Sequence, residues 1–179
     1  MVRCVRGADR AQRGVGLGRD RLDQHQSPTF GGGRKRGAFA QGIGTSRGGR
    51  TSKIHGLTDS AGRPRILLIS PGNTSDMTMA PALIEAAAGR FDRLIADRGY
   101  DSNAIRAAIQ AQGAEVVIPP TRARKTPIPY DRSVYRARNL VERLWCRLKD
   151  WRRIATRYDK LAANYMAGVY VAALITFWC

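Results

Sequence analysis

The chain has 179 residues, a formal net charge of +17 and an isoelectric point near 11.1. That length supports one domain with a real core, and the charge points to a polyanionic partner, most simply nucleic acid, rather than an acidic or membrane-buried role. Three cysteines (Cys4, Cys146, Cys179) without metal-type spacing exclude a disulfide framework, and two isolated histidines (His25, His55) exclude a zinc site.

The first 53 residues stand apart. They hold 12 of the 19 glycines and carry 12 Lys or Arg against 3 Asp. Their apolar residues show no clear period, so the segment cannot offset its ordering entropy by burial. Residues 1–50 are therefore expected to be a largely disordered Gly/Arg-rich stretch, and residues 51–179 the folded domain.

From residue 51 the pattern changes. "TSKIHGLTD" alternates as a half-buried strand does, "SAGRP" is a turn, and "RILLISPG" is a second strand ended by Pro71 and Gly72. "NTSDMTMAPALIEAAAG" reads as a helix, with Asp76 as its cap and Gly89 after its last turn. Arg93 to Ala96 form a short strand that delivers Asp97 to its carboxyl end. "SNAIRAAIQAQG" is a helix capped by Ser102, and "AEVVIPP" a strand broken by Pro119 and Pro120. A basic loop, "TRARKTPIPYDR", precedes a helical region that runs from about Ser133 to the end, with a break near Arg157 to Lys160. The apolar run "YMAGVYVAALITFWC" is shorter than the roughly 20 residues a bilayer span needs, and is expected to be a core helix with Cys146, earlier in the chain, a packing residue. No membrane segment is expected.

This order predicts an α/β fold: a mixed sheet flanked by helices, as a ribonuclease-H-like domain would show. Its first strand is expected to be missing or disrupted.

The segment "YRARNLVERLWCRLK" places Tyr135, Arg138, Glu142 and Lys149 within a sector of roughly 60° of one helix face, opposite Leu140, Val141, Leu144 and Leu148. A solvated face with an Arg138–Glu142 ion pair explains this spacing by itself. Taken with "GGRTSKIHGLTDSAGRP", "PGNTSDM" and "IADRGYDS" in the same order, however, the segment resembles the bacterial insertion-sequence transposases of the DDE type, with their Tyr-Arg-Glu-Lys signature. The resemblance covers about residues 31–179, in an amino-terminally truncated or frameshifted form.

The resemblance implies that Asp97 and Glu142 are catalytic and metal-binding, and that two Mg²⁺ (or Mn²⁺) ions serve nicking and strand transfer at element ends. It implies DNA contacts from Tyr135, Arg138 and Lys149. The basic residues Lys53, Arg122, Arg124 and Lys125, with the 34–36 run, would add phosphate contacts. It further implies terminal inverted repeats and target DNA as partners, a homodimer, and a bacterial, nucleoid-associated cytoplasmic location. A catalytically defective DNA-binding remnant is the alternative reading.

The family pattern also needs a first Asp on an apolar first strand. Here the candidates are Asp20 and Asp23, neither in an apolar setting, while Asp59 reads as a turn former. The codons GAT CGA CTC GAC CAG would encode Asp20 to Gln24. Shifted by one base they read Ile-Asp-Ser-Thr, the family's first-strand pattern. Residues 1–30 are thus a candidate out-of-frame segment, and the gene sequence tests that.

Overall fold

In the computed structural model the structure describes residues 14–24, 37, 41–46 and 49–179, and within 14–24 side chains are described at 16–18. Among the described residues seven strands form one sheet. They are β1 (Gly14–Gln24), β2 (Gly44–Ser46), β3 (Gly49–Thr58), β4 (Pro64–Pro71), β5 (Arg93–Ala96), β6 (Glu115–Val117) and β7 (Thr156–Arg157). The main order is β4-β3-β1-β5-β6. The β4, β3 and β1 strands run antiparallel, whereas β1, β5 and β6 run parallel. That mixed order, with helices on both faces, is the ribonuclease-H-like sheet.

The hairpin of β3 and β4 turns where the sequence predicts. Asp59 closes it: its carboxylate accepts the backbone N–H of Ala61 and Arg63 and the Arg63 side chain. Gly62 takes φ 79°, a value a side chain rarely adopts. Helix α1 (Asp76–Ala86) begins one residue earlier than expected. Ser75 holds the cap position without a side-chain bond, and Asp76 is the first helical residue. Helix α2 (Asn103–Ala111) starts at Ser102, whose hydroxyl accepts the Ile105 N–H. The carboxyl-terminal region is more divided than expected. It consists of α3 (Arg132–Tyr135), a 3-10 turn at Arg136–Arg138, α4 (Asn139–Lys149), α5 (Arg152–Ala155), β7 and α6 (Ala162–Trp178).

The first strand corrects the sequence-based expectation. It is present, and it is central, between β3 and β5. Pairing with β3 along one edge, and with β5 and β7 at the two ends of the other, satisfies most of its backbone, which compensates for its few apolar side chains. Leu17 is buried on the face covered by α1 and α2, with Leu57, Leu83, Leu94 and Ile109. On the other face Gly16 and Gly18 leave room for α4, and Val141 fills the space a Cβ would take at either position. Gly56 of β3 makes the same allowance for Trp145, whose ring lies 2.7 Å from where a Cβ would stand. The second core layer, Ile54, Val141, Leu144, Leu148, Tyr165 and Val169, builds on that close approach.

Gly18→Ala therefore pushes α4 off the sheet. The expected cost is about 1–3 kcal/mol, the usual range for overpacking. Urea denaturation measures it, and a change within 0.5 kcal/mol, about what an indifferent surface change gives, would contradict this packing.

One irregularity prepares the site. Strand β5 leaves β1 after the Leu17–Ala96 pair, and β7 meets the same edge only at Asp23–Thr156. Between these points β1 has no partner strand on that side among the described residues. In an open sheet such a gap beyond a strand's carboxyl end is where ligands are held.

Candidate functional site

Asp97 stands at this gap. The preceding residues, Leu94 to Ala96, are buried, and Asp97 is the first to emerge. Its carboxylate caps the 3-10 turn Arg98–Tyr100 by accepting the Gly99 N–H at 2.8 Å. A Cβ at Gly99 would lie 2.9 Å from that carboxylate oxygen, so a glycine is required for the carboxylate to stay in place.

The helical half of the site reaches the same place. Asp131 starts α3, accepting N–H bonds from Ser133 and Val134 and the Ser133 hydroxyl. These bonds, with Ser133 the strongest, hold its carboxyl below the usual range. The following 3-10 turn packs on β1 and β5. Tyr135 stacks edge-on against Tyr130, with ring centroids 5.5 Å apart. Burial pushes the Tyr135 phenol upward; Arg138 opposes the rise and the charge of Asp97 adds to it. Tyr135 is thus within electrostatic reach of both, and Arg138 in turn pairs with Glu142 across one helical turn. Tyr135 precedes and Arg138 ends a 3-10 turn that packs on β1 and β5, and Arg138 pairs onward with Glu142 on α4, so a 3-10 turn rather than one continuous helix joins these three residues. Lys149 lies at the far end of α4, exposed on the surface.

Other expected residues are placed differently. Lys53, expected at DNA phosphate, is buried on β3. Its ammonium donates to the Thr74 carbonyl at 2.6 Å and pairs with Asp76 at 3.2 Å. It ties the sheet to the start of α1 and does not reach the surface. Arg124 is only partly exposed, and its guanidinium is engaged by Asp101 and Asn103. Arg122 and Lys125 are exposed, as expected. Cys146 is exposed on α4 rather than packed. The 34–36 run lies outside the described residues. Asp20 and Asp23 occupy β1 backbone positions opposite Ile54 and Thr51, so Asp20 falls within the unpaired interval and Asp23 at its far end.

Asp101 was missed in the sequence. Its side chain is fully enclosed and takes charged bonds from Arg106 and Arg124 and the Thr121 N–H. Burial raises its carboxyl, but the bonds from Arg124, Thr121 and Arg106 outweigh it and hold the group far below the usual carboxylate range. The available signal was the acid in "DRGYDS" followed by Arg106 five residues later, across the start of a helix.

Asp97 and Glu142 offer hard oxygen donors. Mg²⁺ can be held by one or two carboxylates completed by substrate phosphate, so they fit one such ion in kind. Among the described residues no group of three His, Cys, Asp or Glu side chains is placed to hold a metal. The three-carboxylate set for two ions is not formed by them.

A family model described as "Transposase DDE domain" matches residues 22–177. Over 125 residues the chain is 32% identical to a protein named as a transposase for insertion sequence element IS6501 of Brucella ovis, covering 68% of this chain and 94% of that protein. It is 28% identical over 144 residues to one named for element IS402 of Burkholderia cepacia, covering 75% and 66%. Among solved structures, the catalytic core domain of BIV integrase covers 92% of this chain and 82% of its own, at 14% identity and TM-score 0.45. The Mos1 transposase in a paired-end complex with its left transposon end covers 90% and 53%, at 14% identity and TM-score 0.38. Among the described residues no helix is long and apolar enough to cross a membrane.

Proposed function

The chain belongs to the DDE transposase family, and from that premise we propose that it nicks insertion-sequence ends and joins them to target DNA by in-line displacement at phosphorus. The observation that supports this reading is Asp97 emerging at the end of β5 beside the gap along β1, with the turn that ends in the Glu142-paired Arg138 packed on the same two strands. Asp97 and Glu142 would hold a divalent ion, which when bound would activate the attacking oxygen and offset charge on the leaving one.

The chain's own groups act on the DNA phosphates. Arg138 gives Glu142 one of its five N–H donors, and its others are suited to a phosphodiester beside that carboxylate. Tyr135, with its phenol raised, stays protonated at neutral pH and can donate to a phosphate oxygen. Lys149, Arg122 and Lys125 extend the basic surface on either side. With Arg138 they make four phosphate contacts, so log affinity is expected to fall with log salt at a slope of roughly −3 to −4. An affinity unchanged between low and physiological salt would contradict this surface.

A second reading is favoured by the sequence around Asp20 and Asp23, which lacks the apolar setting the family pattern gives its first Asp: a domain that binds element ends without cutting them. Terminal-repeat DNA incubated with the protein and Mg²⁺ or Mn²⁺ separates the two. Nicking that falls more than about 100-fold in both Asp97→Ala and Glu142→Ala, beyond what outer-shell changes cause, supports the enzyme. Salt-sensitive binding without nicking supports the second reading. Neither binding nor nicking would overturn both.

A further inference from the structure

Helix α6 has two apolar faces, and only one is covered. Tyr165, Met166, Val169, Ala172 and Ala173 pack into the core. Tyr170, Val171, Leu174, Ile175 and Trp178 remain between 47% and 55% exposed. A helix that is apolar all round is ordinarily buried all round. From Ala162 to Trp178 it carries no charged residue, in a chain of net charge +17.

We propose that this face docks on the same face of a second copy, with the two α6 helices antiparallel about a two-fold axis. The exposed residues Ala167, Val171, Leu174 and Trp178 are spaced 4, 3 and 4 apart, the seam of a packed helix pair. An antiparallel two-fold centred between Ala172 and Ala173 sets Val171 opposite Leu174. The same axis sets Ala167 opposite Trp178, a small residue against the largest. The face is therefore complementary to itself, as a two-fold interface must be.

Area and charge support this occupant. The five half-exposed side chains offer on the order of 500–600 Å² per copy, so a pair buries about 1,100 Å², above the roughly 1,000 Å² a specific interface needs. Arg63 stacks on Trp178 at 4.7 Å and Arg147 on Phe177 at 5.5 Å, so the cations gather at the carboxyl end of α6. Antiparallel pairing keeps the two cationic ends apart, whereas parallel pairing would bring them together. Between Ala167 and Ile175 the helix itself offers an acidic partner no cation.

Sedimentation velocity of the full chain over a concentration series, in salt high enough to release nucleic acid, tests this. A monomer–dimer equilibrium is expected. Leu174→Glu is expected to raise its dissociation constant by at least about 100-fold, since it buries an unpaired charge in the seam. Ala167→Trp should do the same by filling the slot for the partner's indole. Both positions are exposed, so circular dichroism and thermal midpoints should stay unchanged. A chain that is monomeric at every concentration overturns the proposal, as does a dimer indifferent to both substitutions. A monomer that binds neutral lipid vesicles through this face also overturns it.

Discussion

Asp101→Asn is expected to destabilise the domain by about 3 kcal/mol, the cost of breaking one side of a buried ion pair. The carboxylate is fully enclosed, and Arg106, also buried, lies at 2.7 Å. An amide keeps the shape and removes the charge, which leaves Arg106 buried against a neutral group. Arg106 also donates to the Ile118 carbonyl, so the loss spreads to the end of β6. Arg124 is the more exposed partner, and Arg124→Ala should cost less, because water can replace part of what it gives. The pH dependence has a defined sign. The folded-state pKa is depressed, so the stabilisation is present above the ordinary carboxylate range and is lost as pH falls below about 4 toward the folded value. Urea titrations from pH 7 down to pH 2 should show the wild type keeping its advantage over Asp101→Asn to about pH 4 and beginning to lose it only below that. Parallel curves for the two proteins would remove Asp101 from this role. The same substitution should weaken DNA binding, because Arg124 anchors the loop that carries Arg122 and Lys125.

The elements that were legible in the sequence are those whose local signals agree with their burial. The β3–β4 hairpin has alternation, a Gly-Pro turn and an acid that closes it. Helix α2 has Ser102 at one end and Gly113, with φ 74°, beyond the other. Asp97 and Glu142 were singled out because a motif names them, and what the fold adds is their position, one after β5 and one in the first turn of α4. The partnership of Arg138 with Glu142 followed from helical spacing alone.

What could not be read depends on contacts distant in the chain. "GVGLG" looks like linker, because glycine has high conformational entropy and offers no apolar area. Its alternation becomes meaningful only once Val141, more than 120 residues later, occupies the space above Gly16 and Gly18. Lys53 looked like a surface cation because lysine usually is one. Its neighbours Thr51, Ser52 and His55 are nonetheless buried with it, and Asp76 is the counter-charge that makes this tolerable. Arg124 stood in a basic run whose members are equivalent by composition. Only the fold sets it against Asp101, apart from Arg122 and Lys125. In α6 the composition indicated a buried helix, and the fold covers one face of it.

Arg157→Leu is expected to cost about 3–5 kcal/mol, since several buried carbonyls and a hydroxyl lose their charged donor at once. Arg157 is 1% exposed, although no carboxylate among the described residues forms an ion pair with its guanidinium. It donates instead to the carbonyls of Gln41, Gly42, Asp159 and Lys160 and to the Ser52 hydroxyl at 2.6 Å. Its guanidinium also lies over the Tyr165 ring at 5.1 Å. Burial pulls its pKa down, against the effect of Tyr165 and Asp159, yet a guanidinium stays charged at any ordinary pH. Arg157→Lys should not rescue the loss. One ammonium cannot reach acceptors spread around a planar fork, and it is more costly to dehydrate. The consequence for function runs through β1. Arg157 lies on β7, which pairs with the far end of β1 at Asp23 and Gln24. Freeing β7 removes the contact that fixes the strand bearing Asp20 and Asp23 beside Asp97. Hydrogen exchange should therefore accelerate first at residues 23–24 and 156–157 in Arg157→Leu, ahead of the β3–β4 hairpin. Uniform acceleration across the sheet would show that Arg157 supports the whole fold rather than this edge. A stability change under 1 kcal/mol would show that its bonds are replaceable by water.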